Sequence, residues 1–231
     1  MSNNALGMLA EGLQVNSGIE EIQFTHNDLS LPNGLVLISA LSDLPNLTKI
    51  SLNSCNLIVP CLATLKSALI PNDVLTDISL YSNEIDAEGA QLIAQMLVNK
   101  TQLKNLGLSN NIIGIGGARE LAQVCISELV SLQRLALESN LIGNSGLAAV
   151  SAALVENTTL KEIFLYNNDL DDDTMREFAT MLGNKAHLQT LGLEYNRIRS
   201  RGANHVFEAL NVLPRFERLF FSHNLVNEES G

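Results

Sequence analysis

One pattern recurs eight times along the chain, and no other feature constrains the fold as tightly. It reads apolar, two variable, apolar, one variable, apolar, two variable, Asn, one variable, apolar. It opens at Ile19, Leu47, Leu75, Leu103, Leu132, Leu160, Leu188 and Phe216, at spacings of 28 residues with a single 29 between Leu103 and Leu132. Numbering each repeat from its opening residue as place one, places one, four, six and eleven give four slots in each of eight repeats. All 32 are apolar in a chain that is 46% hydrophobic, which chance does not produce. A fixed period of roughly 20–50 residues marks a stacked array of small units, none of which buries its apolar face alone.

The ninth place is polar inside this apolar frame. It holds Asn27, Cys55, Asn83, Asn111, Asn140, Asn168, Asn196 and Asn224. An Asn amide carries donors and an acceptor, so where the chain turns out of a strand it can satisfy backbone groups of its own and the neighbouring turn. Stacking then predicts an Asn ladder, with Cys55 as a small, weakly hydrogen-bonding substitute. The motif resembles that of the leucine-rich repeat superfamily, LxxLxLxxN/CxL. The repeat length and the Gly at place fifteen (Gly89, Gly117, Gly146, Gly202) resemble its ribonuclease-inhibitor-like class. Thr174, Asn33 and Cys61 replace that Gly in repeats six, one and two, and Pro32 and Pro60 lie where a helix start tolerates proline.

Each repeat reads as a short strand followed by a helix. Apolar and polar residues alternate around places three to seven, as in a half-buried strand. Places 16, 19, 20 and 23 mark one helical stripe: Ala90, Ile93, Ala94 and Leu97 in repeat three, Leu147, Val150, Ser151 and Leu154 in repeat five. Cys125 falls at place 23 and reads as core. Strands stack at about 4.8 Å while helices need about 8–10 Å, so the helices splay outward. The expected fold is α/β: a right-handed horseshoe solenoid with about eight parallel strands on the concave face and helices on the convex face. Residues 1–18 read as the helix half of a preceding or capping repeat, with Leu6, Leu9, Ala10 and Leu13 inward, and 19–231 as one continuous solenoid. Phe216, Leu219, Phe221 and Val226 form a last layer with no further repeat to cover it, so the chain is expected either to belong to a longer array or to have its ends covered by a partner. Self-association through that end is a possible outcome.

Lys and Arg number 14 against 25 Asp and Glu, a net charge of -11, which repels phosphate backbones and argues against nucleic acid. Three cysteines without regular spacing point to a reducing compartment. No stretch approaches the roughly 20 apolar residues of a membrane span, and the expected location is cytoplasmic. No constellation for catalysis, cofactor or metal emerges. Gly114, Gly116 and Gly117 miss the dinucleotide spacing. Asp169, Asp171 and Asp173 miss the calcium loop, since Thr174 and Thr180 stand where Gly and Glu are required. His26, His187, His205 and His223 lie at no ligand spacing. Asp169, Asp171 and Asp173 instead share places 10, 12 and 14 with Arg197, Arg199 and Arg201 of the next repeat, which predicts an acid–base ladder along one rim. Place three predicts charge pairing along Glu21–Lys49–Asp77 and across Arg134–Glu162.

Aromatic residues gather on the concave face of the C-terminal half. The expected partner-binding surface is Phe164, Tyr166, Glu194, Tyr195 and Phe220, with Glu138 and Tyr81 on the same face. Phe164 and Phe220 flank Gly192 at place five, which predicts a slot walled by two rings. The two glutamates favour a protein partner with Lys or Arg beside an apolar anchor. The resemblance implies a non-catalytic protein-interaction scaffold, or alternatively a GTPase-activating protein of the Ran-activator type, for which Arg197, Arg199 and Arg201 would be the arginine candidates.

Overall fold

The computed structural model describes residues 2–124 and 126–226. Eight three-residue strands form one parallel sheet in sequence order: β1 Glu21–Gln23, β2 Lys49–Ser51, β3 Asp77–Ser79, β4 Asn105–Gly107, β5 Arg134–Ala136, β6 Glu162–Phe164, β7 Thr190–Gly192 and β8 Arg218–Phe220. Equal places pair throughout, including across the 29-residue step, where Asn105 faces Arg134. Helices α1 Asn3–Gln14, α2 Pro32–Ser39, α3 Val59–Leu69, α4 Ala87–Leu97, α5 Gly114–Val124, α6 Gly143–Leu154, α7 Met175–Leu182 and α8 Ser200–Leu210 form the second layer, each packed on the next. Pro32 and Pro60 occupy the first turns of α2 and α3, where their missing N–H costs nothing. In repeat six, which has Thr174 for the usual Gly, a 3-10 turn (Asp172–Thr174) precedes a short α7.

The core lies between the layers. In repeats two to seven, places one, four, six and eleven are at most 2% exposed. In repeat eight Phe216, Leu219, Phe221 and Val226 are only half-buried, because among the described residues no further layer covers them. Leu6, Ala10 and Leu13 of α1 are buried, but Leu9 is exposed: the stripe is narrower than expected. Cys125 lies outside the described residues.

The Asn ladder is present. Asn83, Asn111, Asn140, Asn168, Asn196 and Asn224 each donate from Nδ2 to the place-six carbonyl of the preceding repeat. Most Oδ1 atoms accept backbone N–H groups from the preceding turn, as Asn168 Oδ1 does from Asn140 and Ile142. The Cys55 thiol replaces the donor half, giving its hydrogen bond to the Phe24 carbonyl. With no Oδ1 to offer, it leaves the Leu29 N–H to the Cys55 carbonyl. One rung is not closed. Among the described residues Asn140 Oδ1, fully buried, has no partner; this is the rung between repeats four and five, the step of 29.

Two further regularities were not visible in the residue types. All eight residues at place eight (His26, Ser54, Ser82, Asn110, Ser139, Asn167, Tyr195 and His223) have φ between 52 and 58°, the left-handed region that lets the chain leave the strand abruptly. Three residues before the opening place of repeats two to eight, a buried side chain closes the turn. There Lys100 Nζ donates to the Ile70 carbonyl at 2.8 Å, and Lys185 Nζ to those of Leu154 and Val155 at 2.8 and 2.9 Å. Each ammonium sits on the C-terminal end of an earlier helix, where the dipole favours a cation. Asn72 and Asn157 close their turns with amides, Asn72 Nδ2 donating to the Leu47 carbonyl and Asn157 Nδ2 to those of Leu129 and Leu132.

Candidate functional site

The concave surface is built by side chains at places three, five and seven, which the pleat turns away from the core. Place five runs Ser51, Ser79, Gly107 and Ala136 across β2 to β5. These small residues leave a trough across the sheet, with place-three charges on one side and place seven on the other. One cavity of about 290 Å³ covers β1 to β4 and reaches Arg134, and another of about 260 Å³ adjoins it over β3 to β5.

The trough ends at Phe164. The slot expected between Phe164 and Phe220 is not open: a Cβ built on Gly192 would lie 3.0 Å from Phe164 Cδ1. The ring drops into the space that Gly192 leaves, as aromatics do beside strand glycines. Arg134 lies over the same ring, 4.6 Å from its centroid, and its guanidinium also meets Glu162 at 2.6 Å. Phe164 is therefore a wall within the sheet rather than one side of a gap.

The smaller cavity brings together three of the expected residues, Tyr81, Glu138 and Tyr166, with Ser109, Arg134 and Ala136. Glu138 is 6% exposed. The Ser109 hydroxyl donates to its carboxylate, and the Tyr166 phenol is a second hydrogen-bonding neighbour. Burial pushes the Glu138 carboxyl above its usual range, against the opposing pull of Ser109 and, more weakly, Arg134. Burial also raises Tyr166, and the Glu138 charge adds to it.

The other expected residues lie elsewhere. Tyr195 is 55% exposed and stacks on His223, ring centroids 4.1 Å apart. Phe220 is exposed on the last strand. Glu194 accepts from the Ser222 hydroxyl. What sequence reasoning missed was the trough itself. Its signal was present as a run of small residues at place five, beside the aromatics that drew attention first.

Along the rim the acid–base ladder forms in part. Asp169 meets Arg197 at 2.7 Å, and Arg201 lies 3.5 Å from Asp173 and 3.7 Å from Asp172. Asp171 departs from the scheme: Asn144 Nδ2 donates to it at 2.6 Å, and it caps the turn through the Asp173 N–H. Arg199 receives a different tie, its backbone N–H donating to Asp172. At place three Glu162 is shared between Arg134 at 2.6 Å and Arg218 at 3.6 Å. The expected Glu21–Lys49–Asp77 pairing is absent among the described residues. Asp77 accepts from Thr76 and Asn105 instead, and Glu21 from Gln23. Burial raises the Cys55 and Cys61 thiols, which suits core packing rather than nucleophilic chemistry. Among the described residues no three His, Cys, Asp or Glu side chains group as metal ligands, and no helix is long and apolar enough to cross a membrane.

The stacked parallel strands, the outer helices and the Asn ladder define the fold of a leucine-rich repeat solenoid, and its repeats resemble those of the ribonuclease-inhibitor-like class. The mouse (Mus musculus) ribonuclease inhibitor is 30% identical over 86 residues, a segment that covers 37% of this chain and only 19% of that relative. Internalin C2 from Listeria monocytogenes shares the fold, with a TM-score of 0.63 over 99% of this chain and 90% of its own at 20% identity. The leiomodin-1 actin-binding site 2 domain aligns with 77% of this chain and 86% of its own at 20% identity, with a TM-score of 0.49, too loose a likeness to bear on function. No family model matches the chain.

Proposed function

We propose that the chain is a protein-binding repeat module that carries its partner on the concave sheet and performs no catalysis itself. The observation that carries this reading is the trough over β2 to β5, an open groove of two adjoining cavities on an otherwise regular sheet. Its walls stand on paired strands, so little ordering is left for a partner to impose. The matched relative is named as an inhibitor of an enzyme, which accords with a protein-binding role. A net charge of -11 favours a basic partner, and free thiols at Cys55 and Cys61 accord with a cytoplasmic setting.

The test compares two baits. Ser79→Arg fills the trough, whereas Gln91→Arg adds the same charge to the exposed side of α4. A partner retained by Gln91→Arg and lost from Ser79→Arg supports the reading; equal capture by both overturns it. No observation favours a GTPase activator, because Arg197 and Arg201 are engaged with acids of the preceding repeat. Stimulated GTP hydrolysis that Arg197→Ala or Arg201→Ala abolishes would reverse that judgement.

A further inference from the structure

We propose that the cavity between Tyr81 and Tyr166, with Glu138 in its wall, receives a lysine or arginine side chain of the partner protein. The proposal rests on the concave face being the binding surface and names what this part of it selects. Three properties of the cavity lead there. First, Glu138 is a nearly buried carboxylate that makes no ion pair among the described residues. Arg134, the cation beside it, is drawn to Glu162 at 2.6 Å and to the Phe164 ring. A buried charge without a counterion is costly, and Ser109 and Tyr166 supply hydrogen bonds but no opposite charge. Secondly, two phenol rings border the same space, and aromatic faces attract cations more strongly once water is excluded. Thirdly, the cavity holds about 260 Å³, below the roughly 300–1,000 Å³ of small-molecule sites, which suits one inserted side chain.

The surrounding charges exclude the alternatives. Glu138 and Arg134 are the charged residues of the cavity wall, Arg134 is already committed to Glu162, and the whole chain is at -11. An anion would meet the Glu138 carboxylate. An apolar anchor would strand the Glu138 carboxylate without solvent. A cation satisfies it, and burial, which raises the Glu138 carboxyl, sets the pH response. Asn53, Ser79, Tyr81, Ser109, Arg134 and Tyr166 are the polar groups that line the cavity with it. Affinity for a cation therefore falls as acidification neutralises Glu138.

The chain has no Trp and three Tyr. Tyr81 and Tyr166 border the cavity while Tyr195 lies away from it, stacked on His223, so two of the three tyrosines report on this face. The experiment titrates the full chain with acetyl-Ala-Ala-Arg-Ala-Ala-amide and with its lysine and citrulline counterparts. Citrulline keeps the shape of arginine and loses the charge. We expect a saturable change in emission, with the arginine or lysine peptide bound at least about fivefold more tightly than the citrulline peptide. Glu138→Gln, checked for folding by circular dichroism, brings the peptides to parity, and Tyr81→Leu narrows the preference. Equal binding of the citrulline peptide, an unchanged preference in Glu138→Gln, or no response to any peptide overturns the cation cavity. If Ser79→Arg still abolishes partner capture in that case, the binding module itself stands.

Discussion

At place twenty of repeat five, Ser151 fills a slot that Ala94, Ala122 and Ala179 fill in other repeats. Its hydroxyl is buried and has no partner among the described residues. Ser151→Ala should therefore stabilise by about 1 kcal/mol, read as a Tm rise of about 2–4 °C in a chain of this size. The Asn rungs make the opposite case. Asn168→Ala removes three donated bonds and the acceptor for Asn140 and Ile142, and should cost about 2–4 kcal/mol in a urea melt. Asn140→Ala should cost less, since its Oδ1 has no partner among the described residues. Glu138 gives a pH signature. Its folded carboxyl titrates above the unfolded value, so between the two the native state holds more protons and stability falls as pH rises. Subtracting the stability profile of Glu138→Gln from that of the wild type should isolate this fall, beginning near the ordinary glutamate range; a flat difference would refute it. The Asn rungs were legible because one residue type recurs at one place. Lys100 and Lys185 were not, because their place also holds Leu44, Asn72, Asn157 and Leu213, different solutions to closing the same turn.

Among the elements, the helix starts carry the clearest conflict between propensity and packing. Gly117 lies inside α5, where Ala would ordinarily stabilise by about 1 kcal/mol. A Cβ there would sit 2.8 Å from Ala90 Cβ and 3.2 Å from Ala87 Cα of α4. Gly117→Ala should thus destabilise, by about 1–3 kcal/mol as overpacking does; a gain in Tm would show that α4 and α5 part easily. The recurrence of Gly at place fifteen was visible in the sequence, but the close approach of α4 and α5 that it permits emerges only from the packing. The left-handed turn at place eight escaped notice because His, Ser, Asn and Tyr, never Gly, occupy it. The concave face was legible at the level of which residues project. Tyr81, Glu138 and Tyr166 could be placed on it from the period alone. That Phe164 would fold over Gly192 depends on a rotamer, which no spacing specifies.

On the scale of the whole molecule, the sheet order follows from the period, since consecutive repeats of one length can stack only as neighbours. The final strand β8 pairs with β7 alone among the described residues, and its layer is half-buried. We propose that this edge supports weak self-association: sedimentation velocity should show a mass that rises with concentration and reverts in Leu219→Glu, whereas a constant monomer mass argues against it. In a solenoid each unit is held by its neighbours only, so strength is set by the interfaces in series. The rung at Asn140 lacks its side-chain acceptor bonds, yet α5 and α6 of the two repeats it joins pack closely, and the Gly114 N–H reaches the Asn140 carbonyl instead. The Glu138 cavity draws its walls from repeats two to six, so a ligand seated there would bridge several interfaces in the series at once and act as a splint along the array.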